Sequence, residues 1–190
     1  MTNNATGAVY WLTGLSGAGK TTIGRIFYSR LQALGRHVIF LDGDILREVF
    51  GNDLAYTLDD RKKSAMRNAR LCKMLSDQGV DVVCATISMF RDCREWNREH
   101  IGRYKEIYIR VSIDVLKQRD AKNLYSRAEK GEIKDVMGVD LEVEEPENPD
   151  IIIDNNGEET PEELANKLLS SVTIASGKPD ENRMGLYRSG

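Results

Sequence analysis

The densest chemistry in the chain lies in Gly14-Leu15-Ser16-Gly17-Ala18-Gly19-Lys20-Thr21. These residues match G-x-x-x-x-G-K-[ST] at each fixed position. The glycines let the backbone wrap a phosphate without Cβ clashes, and its N–H groups add to the positive end of the helix that follows. Lys20 can reach the β- and γ-phosphates of a nucleotide, and the Thr21 hydroxyl is placed to ligate Mg²⁺. Gly14, Ser16, Gly17, Ala18, Gly19, Lys20, Thr21 and Thr22 are therefore candidate nucleotide-binding residues. A second constellation is Asp42-Gly43-Asp44. One carboxylate can orient or deprotonate an attacking hydroxyl while the other holds Mg²⁺ through water; Asp44 can instead simply cap the next helix. Arg47, one helical turn further on, can meet an anionic substrate or stand solvated on the surface.

These groups need elements to position them. Residues 8–13 form an apolar run ending at Gly14 and read as a buried strand; 22–34 have helical spacing and stop at Gly35. Residues 37–41 read as a second strand that delivers Asp42, and 58–76 as a helix with Ala65, Ala69, Cys72 and Leu75 on one face. Further strands are expected at 80–85, 106–111 and 151–153, with a polar helix at 91–101 and mostly helical chain at 114–130. Thr160-Pro161, followed by Glu162 and Glu163, opens a last helix to about residue 172. Strands alternating with helices, each a nearly continuous apolar run, predict an α/β three-layer fold. Its five-stranded, mostly parallel sheet is covered by helices on both faces. Asp42 and Asp44 then lie at the carboxyl end of a strand, where such sheets bind ligands. Residues 131–150 fit neither template and read as a mobile flap.

The totals exclude several classes. With 190 residues, 41% hydrophobic and 30% charged, the chain is one domain with a sizeable core, neither disordered nor collagenous. Residues 1–175 read as that domain and 176–190 as a polar tail. No apolar window approaches a membrane span, and residues 1–7 carry no secretory signal. Three cysteines, Cys72, Cys84 and Cys93, have no metal spacing and suggest a reduced, cytoplasmic protein with idle thiols. Basic residues are scattered and the pI is about 5.5, so no nucleic-acid partner is expected. The net charge of −3 hides a basic body, +7 over residues 1–128, and an acidic stretch, −12 over 129–163, which reads as mostly solvated surface.

Beyond the phosphate loop the chain resembles the adenylyl-sulfate kinase family. The resemblance rests on Trp11 to Thr21, Leu41 to Asp44, Asp60-Arg61, Ile87-Ser88 with Phe90-Arg91, Leu124-Tyr125, Gly131 to Lys134, and Glu145-Pro146-Glu147-Asn148-Pro149. Their order and spacing hold over about residues 8–170. The resemblance implies a P-loop NTPase fold with a lid at about 119–147, ATP as donor, Mg²⁺, and phosphorylation of the 3′-hydroxyl of adenylyl sulfate by a homodimer. It makes Lys20, Asp42 and Asp44 catalytic, with Asp44 the hydroxyl partner. Arg119 closes on the ATP phosphates, with Lys122 and Arg127 beside it. Asp44, Arg47, Tyr56, Arg61, Ile87, Ser88, Arg91 and Lys134 meet the acceptor. Tyr56 falls on a family phenylalanine that stacks on the acceptor base; core packing is its other reading.

The acceptor side departs from the family pattern. After Asp60-Arg61 the family has x-E-N-x-R-R, where this chain has Lys62 to Arg67, and the family's Ser-Pro is Ser88-Met89. The usual D-P-K-G-L-Y is Asp120 to Tyr125, and the lid phenylalanine is Val136. Losing that ring forfeits stacking worth about 1–3 kcal/mol per base. An intact donor side with an altered acceptor side opens an alternative: a kinase acting on the ribose of another nucleotide conjugate, such as a cytidine diphosphoramidate. A catalytically silent nucleotide-binding module ranks third, because Lys20, Thr21, Asp42 and Asp44 are all present.

Overall fold

A computed structural model describes residues 6–175; the 176–190 tail, Met1 to Ala5 and the side chains of Lys122, Ile174 and Ala175 lie outside the described residues. The strands are β1 (Val9–Thr13), β2 (Val38–Asp42), β3 (Asp81–Ala85), β4 (Tyr104–Arg110) and β5 (Ile151–Asp154). They pair in the order β2-β3-β1-β4-β5, and every pairing is parallel, where a mostly parallel sheet was expected. Strand β1 is buried along its whole length, which explains its unbroken apolar run. The helices are α1 (Lys20–Ala33), α2 (Gly43–Val49), α3 (Leu58–Asp77), α4 (Arg91–His100), α5 (Ile113–Arg119), α6 (Leu124–Glu129) and α7 (Pro161–Ala175), with one 3₁₀ turn at Ala121–Asn123.

Two apolar layers flank the sheet. On one face Tyr10, Leu12, Ile23, Phe27, Leu164 and Leu168 pack β1 against α1 and α7. On the other, Trp11, Ala69, Cys72, Cys84 and Cys93 join α3 and α4. Alternate residues of β1 thus supply both cores, the period-two consequence of a strand covered on both sides. All three cysteines are free and buried.

The 114–130 region is more broken than its sequence suggests. Asp120 and Asn123 adopt left-handed backbone, with φ of 34° and 54°. The Asp120 carboxylate accepts hydrogen bonds from the N–H groups of Tyr125 and Ser126, so it starts α6 where a continuous helix was expected. At α7 the expected cap forms. Thr160 Oγ1 accepts from Glu163 N–H and Glu163 Oε2 accepts from Thr160 N–H, a reciprocal capping box. Residues 131–150 hold only one isolated bridge, Met137 to Leu141. Even so, Met137, Leu141 and Val143 pack onto the second core layer, so this flap lies against the body. Among the described residues no helix is long and apolar enough to cross a membrane.

Candidate active site

The phosphate loop joins the end of β1 to α1. Gly14 and Gly19 are the positions where a side chain fails on geometry. With φ of +148° and +92°, a Cβ would stand 2.4 Å from Ile109 O and 2.6 Å from Asn155 Nδ2. Ser16 and Gly17 are half-buried in the turn, Ala18 is buried beneath it, and Thr22 stands exposed on the first turn of α1. Lys20 Nζ donates to Leu15 O at 2.7 Å, so the ammonium lies over its own loop. Arg119, ending α5, donates to Gly17 O at 3.4 Å and to Asn155 O at 2.7 Å, which brings it to the same loop.

Thr21 and Asp42 meet directly: Thr21 Oγ1 donates to Asp42 Oδ2 at 2.7 Å. The other Asp42 oxygen accepts from Asp44 N–H at 2.9 Å and Ile45 N–H at 3.4 Å. The cap of α2 is therefore Asp42, and the capping role considered for Asp44 is wrong. The reason is the register of α2, which begins at Gly43 and leaves Asp44 inside its first turn, exposed. Thr21 and Asp42 are hard oxygen donors side by side, the set that suits Mg²⁺. No group of three or more His, Cys, Asp or Glu able to hold a metal occurs among the described residues. Mg²⁺ is commonly held by one or two protein oxygens together with substrate phosphates.

A second cluster sits beyond α2. The Tyr56 ring lies 4.4 Å from the Arg47 guanidinium and 5.2 Å from that of Arg61. Tyr56 is 57% exposed, so core packing is not its role. Arg47 is not a solvated surface residue either, because its guanidinium donates to the carbonyls of Leu54 and Ala55. Arg61 donates to Tyr56 O at 2.8 Å and to Asp135 O at 2.7 Å, which ties α3 to the flap beside the exposed Lys134. Partial burial and the neighbouring Arg47 charge lower the Arg61 pKa. The result is an exposed aromatic ring with two cations against it, a set that can meet a base and an anion.

The structure does not bring the whole expected acceptor set to that face. Ser88 is fully buried, and its hydroxyl donates to Cys93 Sγ at 3.5 Å. Burial pushes the Cys93 thiol up to about 11, so it is no base for Ser88 at neutral pH. Ile87 is half-buried and packs against the second core layer. Arg91 pairs with Glu147, and its N–H donates to the Glu144 carboxylate. Arg94 donates to the carbonyls of Glu144 and Glu145 at 2.8 and 3.3 Å and pairs with buried Glu106 at 3.2 Å. Arg98 bridges Glu106 and Asp150, and Arg110 pairs with Asp154. Part of the acidic stretch, Glu147, Asp150 and Asp154, is thus tied to cations of the body, while Glu147 and Asp154 keep more than half of their side chains exposed, as expected of solvated surface. Charge blocks in sequence do not show pairing across 44 to 56 residues.

Three residues matter here that sequence reasoning passed over or left without a role. Arg94 anchors the flap's return segment. Tyr125 donates its hydroxyl to Ser16 O at 2.9 Å, and Asn155 donates Nδ2 to Ala18 O at 2.8 Å. Tyr125 carried a signal as part of Leu124-Tyr125. Asn155 carried only its place just beyond a parallel strand, where ligand loops gather.

At the carboxyl end of a parallel sheet, a glycine-bent loop that opens a helix, with its lysine and a Thr–Asp pair at 2.7 Å, is the donor site of a P-loop kinase. The chain matches the adenylylsulphate kinase family model over residues 6–154 and belongs to that family. It is 41% identical over 166 residues to the cytidine diphosphoramidate kinase of Campylobacter jejuni, covering 87% of this chain and 96% of that protein. It is 39% identical over 166 residues to the adenylyl-sulfate kinase of Halothermothrix orenii, covering 87% and 89%. The fold matches that of the Mycobacterium tuberculosis APS kinase CysC in complex with AMPPNP and APS, with a TM-score of 0.82, 28% identity, and coverage of 88% and 98%. The chain is accordingly an ATP-dependent nucleotide kinase.

Proposed function

We propose that the chain transfers the γ-phosphoryl group of ATP to a ribose hydroxyl of a cytidine diphosphate-type conjugate such as cytidine diphosphoramidate. The observation that carries this reading is the single ring on the acceptor side. Tyr56 is 57% exposed, with the Arg47 and Arg61 guanidinium groups over its ring, and Val136 is 2% exposed, with its N–H held by the Asp140 carboxylate. A base stacked on one face suits a pyrimidine, which needs less surface than a purine. The C. jejuni relative acts in its name on such a conjugate. Asp44 orients the acceptor hydroxyl, Arg47, Arg61 and Lys134 meet its anionic group, and Lys20 and Arg119 meet the donor phosphates. Thr21 and Asp42 hold Mg²⁺, which when bound neutralises phosphate charge. The enzyme works as a homodimer, as the family resemblance implies, and in the cytoplasm, as its three free cysteines suggest.

Adenylyl sulfate is the second reading. The family's motif order and its intact Glu145-Pro146-Glu147-Asn148-Pro149 favour it, as does the likeness to an APS-bound structure. Steady-state transfer from ATP to each acceptor decides. The expected result is turnover of cytidine diphosphoramidate at micromolar concentration and a kcat/KM for adenylyl sulfate lower by about tenfold or more, the loss of one stacking face. Efficient turnover of adenylyl sulfate with none of the cytidine conjugate refutes the proposal.

A further inference from the structure

Four consecutive carbonyls of the phosphate loop each receive a side-chain donor. Leu15 O accepts from Lys20 Nζ at 2.7 Å, and Ser16 O from the Tyr125 hydroxyl at 2.9 Å. Gly17 O accepts from Arg119 Nη1 at 3.4 Å, and Ala18 O from Asn155 Nδ2 at 2.8 Å. Lys20 is local to the loop, and Leu15 O also accepts from Ala18 N–H at 3.2 Å, but the other three donors come from α6, the end of α5 and the residue after β5, so no local turn places them.

The physical consequence concerns peptide orientation. A phosphate loop works because its N–H groups point inward and its carbonyls outward. Rotating one peptide plane turns a partial positive charge into a partial negative one beside the phosphate, and glycines at 14, 17 and 19 make such rotation easy. A donor fixed on the outer carbonyl opposes it. Lys20 must release Leu15 O to reach a phosphate. Tyr125 and Asn155 can stay in place.

Both are well anchored. Asn155 N–H donates to Arg110 O at 2.9 Å, and Asn155 O accepts from Arg119 at 2.7 Å. The space its carboxamide fills is the space left by Gly19, where a Cβ would stand 2.6 Å from Nδ2. Tyr125 is buried, and its N–H is held by Asp120 at 2.9 Å. Burial and the Asp120 charge push its hydroxyl up to about 12, so it keeps its proton and remains a donor near neutral pH.

We propose that Tyr125 and Asn155 are positioning residues of the phosphate loop, holding the Ser16 and Ala18 carbonyls outward so that the loop's N–H groups meet the donor phosphates already aligned. The proposal rests on the loop being the donor site, and the acceptor's identity does not enter it.

The test is calorimetric titration of the full chain with ADP and, separately, with inorganic pyrophosphate, both with Mg²⁺. The variants are Tyr125→Phe, which keeps the ring, and Asn155→Ala. Each variant is expected to bind both ligands about 3–10-fold more weakly, the worth of one hydrogen bond, and by the same factor for each. A residue that merely stabilises the fold would lower the melting temperature and leave pyrophosphate affinity unchanged; that result overturns the proposal. Loss confined to ADP also overturns it, because it assigns the two residues to the base. Should Asn155→Ala fail to fold, Tyr125→Phe carries the test alone. Failure of the unaltered chain to bind either ligand would instead strike the donor-site reading.

Discussion

Replacing Arg94 by methionine tests how the flap's return segment is held. The Arg94 and Glu106 side chains are 7% and 3% exposed, and Nε stands 3.2 Å from Oε1. Breaking a buried pair by removing one partner costs about 3–5 kcal/mol, because the other charge is left without compensation. Arg98 still holds Oε2 at 2.7 Å, which argues for the lower end, about 3 kcal/mol. Glu144 and Glu145 also lose donors to their carbonyls, but both residues are exposed and water replaces part of that loss. A deficit near 3 kcal/mol is a large share of the roughly 5–15 kcal/mol that holds a domain folded. Urea unfolding followed by tryptophan fluorescence measures it, with an unchanged m-value confirming a change in stability alone. Glu106→Gln in the same background removes the orphaned charge and should restore about 1–2 kcal/mol. The sign with pH follows. Burial raises the Glu106 pKa, and Arg94 and Arg98 pull it down. Without Arg94 it rises further above the unfolded value, so the variant's deficit shrinks as pH falls and Glu106 takes up a proton. Cleavage by a glutamyl endopeptidase at 144–147 should quicken in parallel. A deficit below about 1 kcal/mol, or strict additivity of the two substitutions within about 0.5 kcal/mol, refutes this account.

Gly19→Ala meets both a φ of +92° and a contact at 2.6 Å, so ADP affinity should fall by about tenfold or more. Gly35→Ala, with φ of +75° and open space, should cost about 1 kcal/mol of stability and leave ADP titrations unchanged. Alkaline stability should also fall. Burial raises Cys93 to about 11 and Tyr108 and Tyr125 to about 12, so their contribution is complete below the unfolded values near 9 and 10 and is lost as pH rises through the folded ones. The urea midpoint should hold to about pH 9 and then drop; a midpoint flat to pH 11 refutes it.

The donor side was legible because its chemistry is local. Glycine spacing fixes where a backbone can bend, and the lysine and threonine follow within the same turn, so Gly14 to Thr21 could be read as one device. The sheet was legible for a related reason: strands covered on both faces must be apolar throughout, as β1 is. What escaped was set by distance in sequence. Asn155 reaches Ala18 across 137 residues and Tyr125 reaches Ser16 across 109, and neither residue type announces such a partner. Helix α2 was too short for its period to register, which is why the cap was considered for Asp44 and fell to Asp42.

The acceptor side was less legible because it is assembled from side chains on separate segments. Tyr56 follows α2, Arg61 begins α3, and Asp135 lies in the flap; they meet through one guanidinium that donates to Tyr56 O and Asp135 O. A resemblance assigns such residues singly, but it cannot say which are engaged elsewhere. Arg91 and Ser88 were carried over together, and the structure gives each another partner, Glu147 for Arg91 and Cys93 for Ser88. What remains is a single ring, two cations behind it and an exposed lysine on the flap. The donor loop can stay the same for any acceptor because it reads only phosphates. Under the proposed function, acceptor choice falls to the segments around Tyr56, among them Lys62 to Arg67 and Val136, which depart from the family pattern.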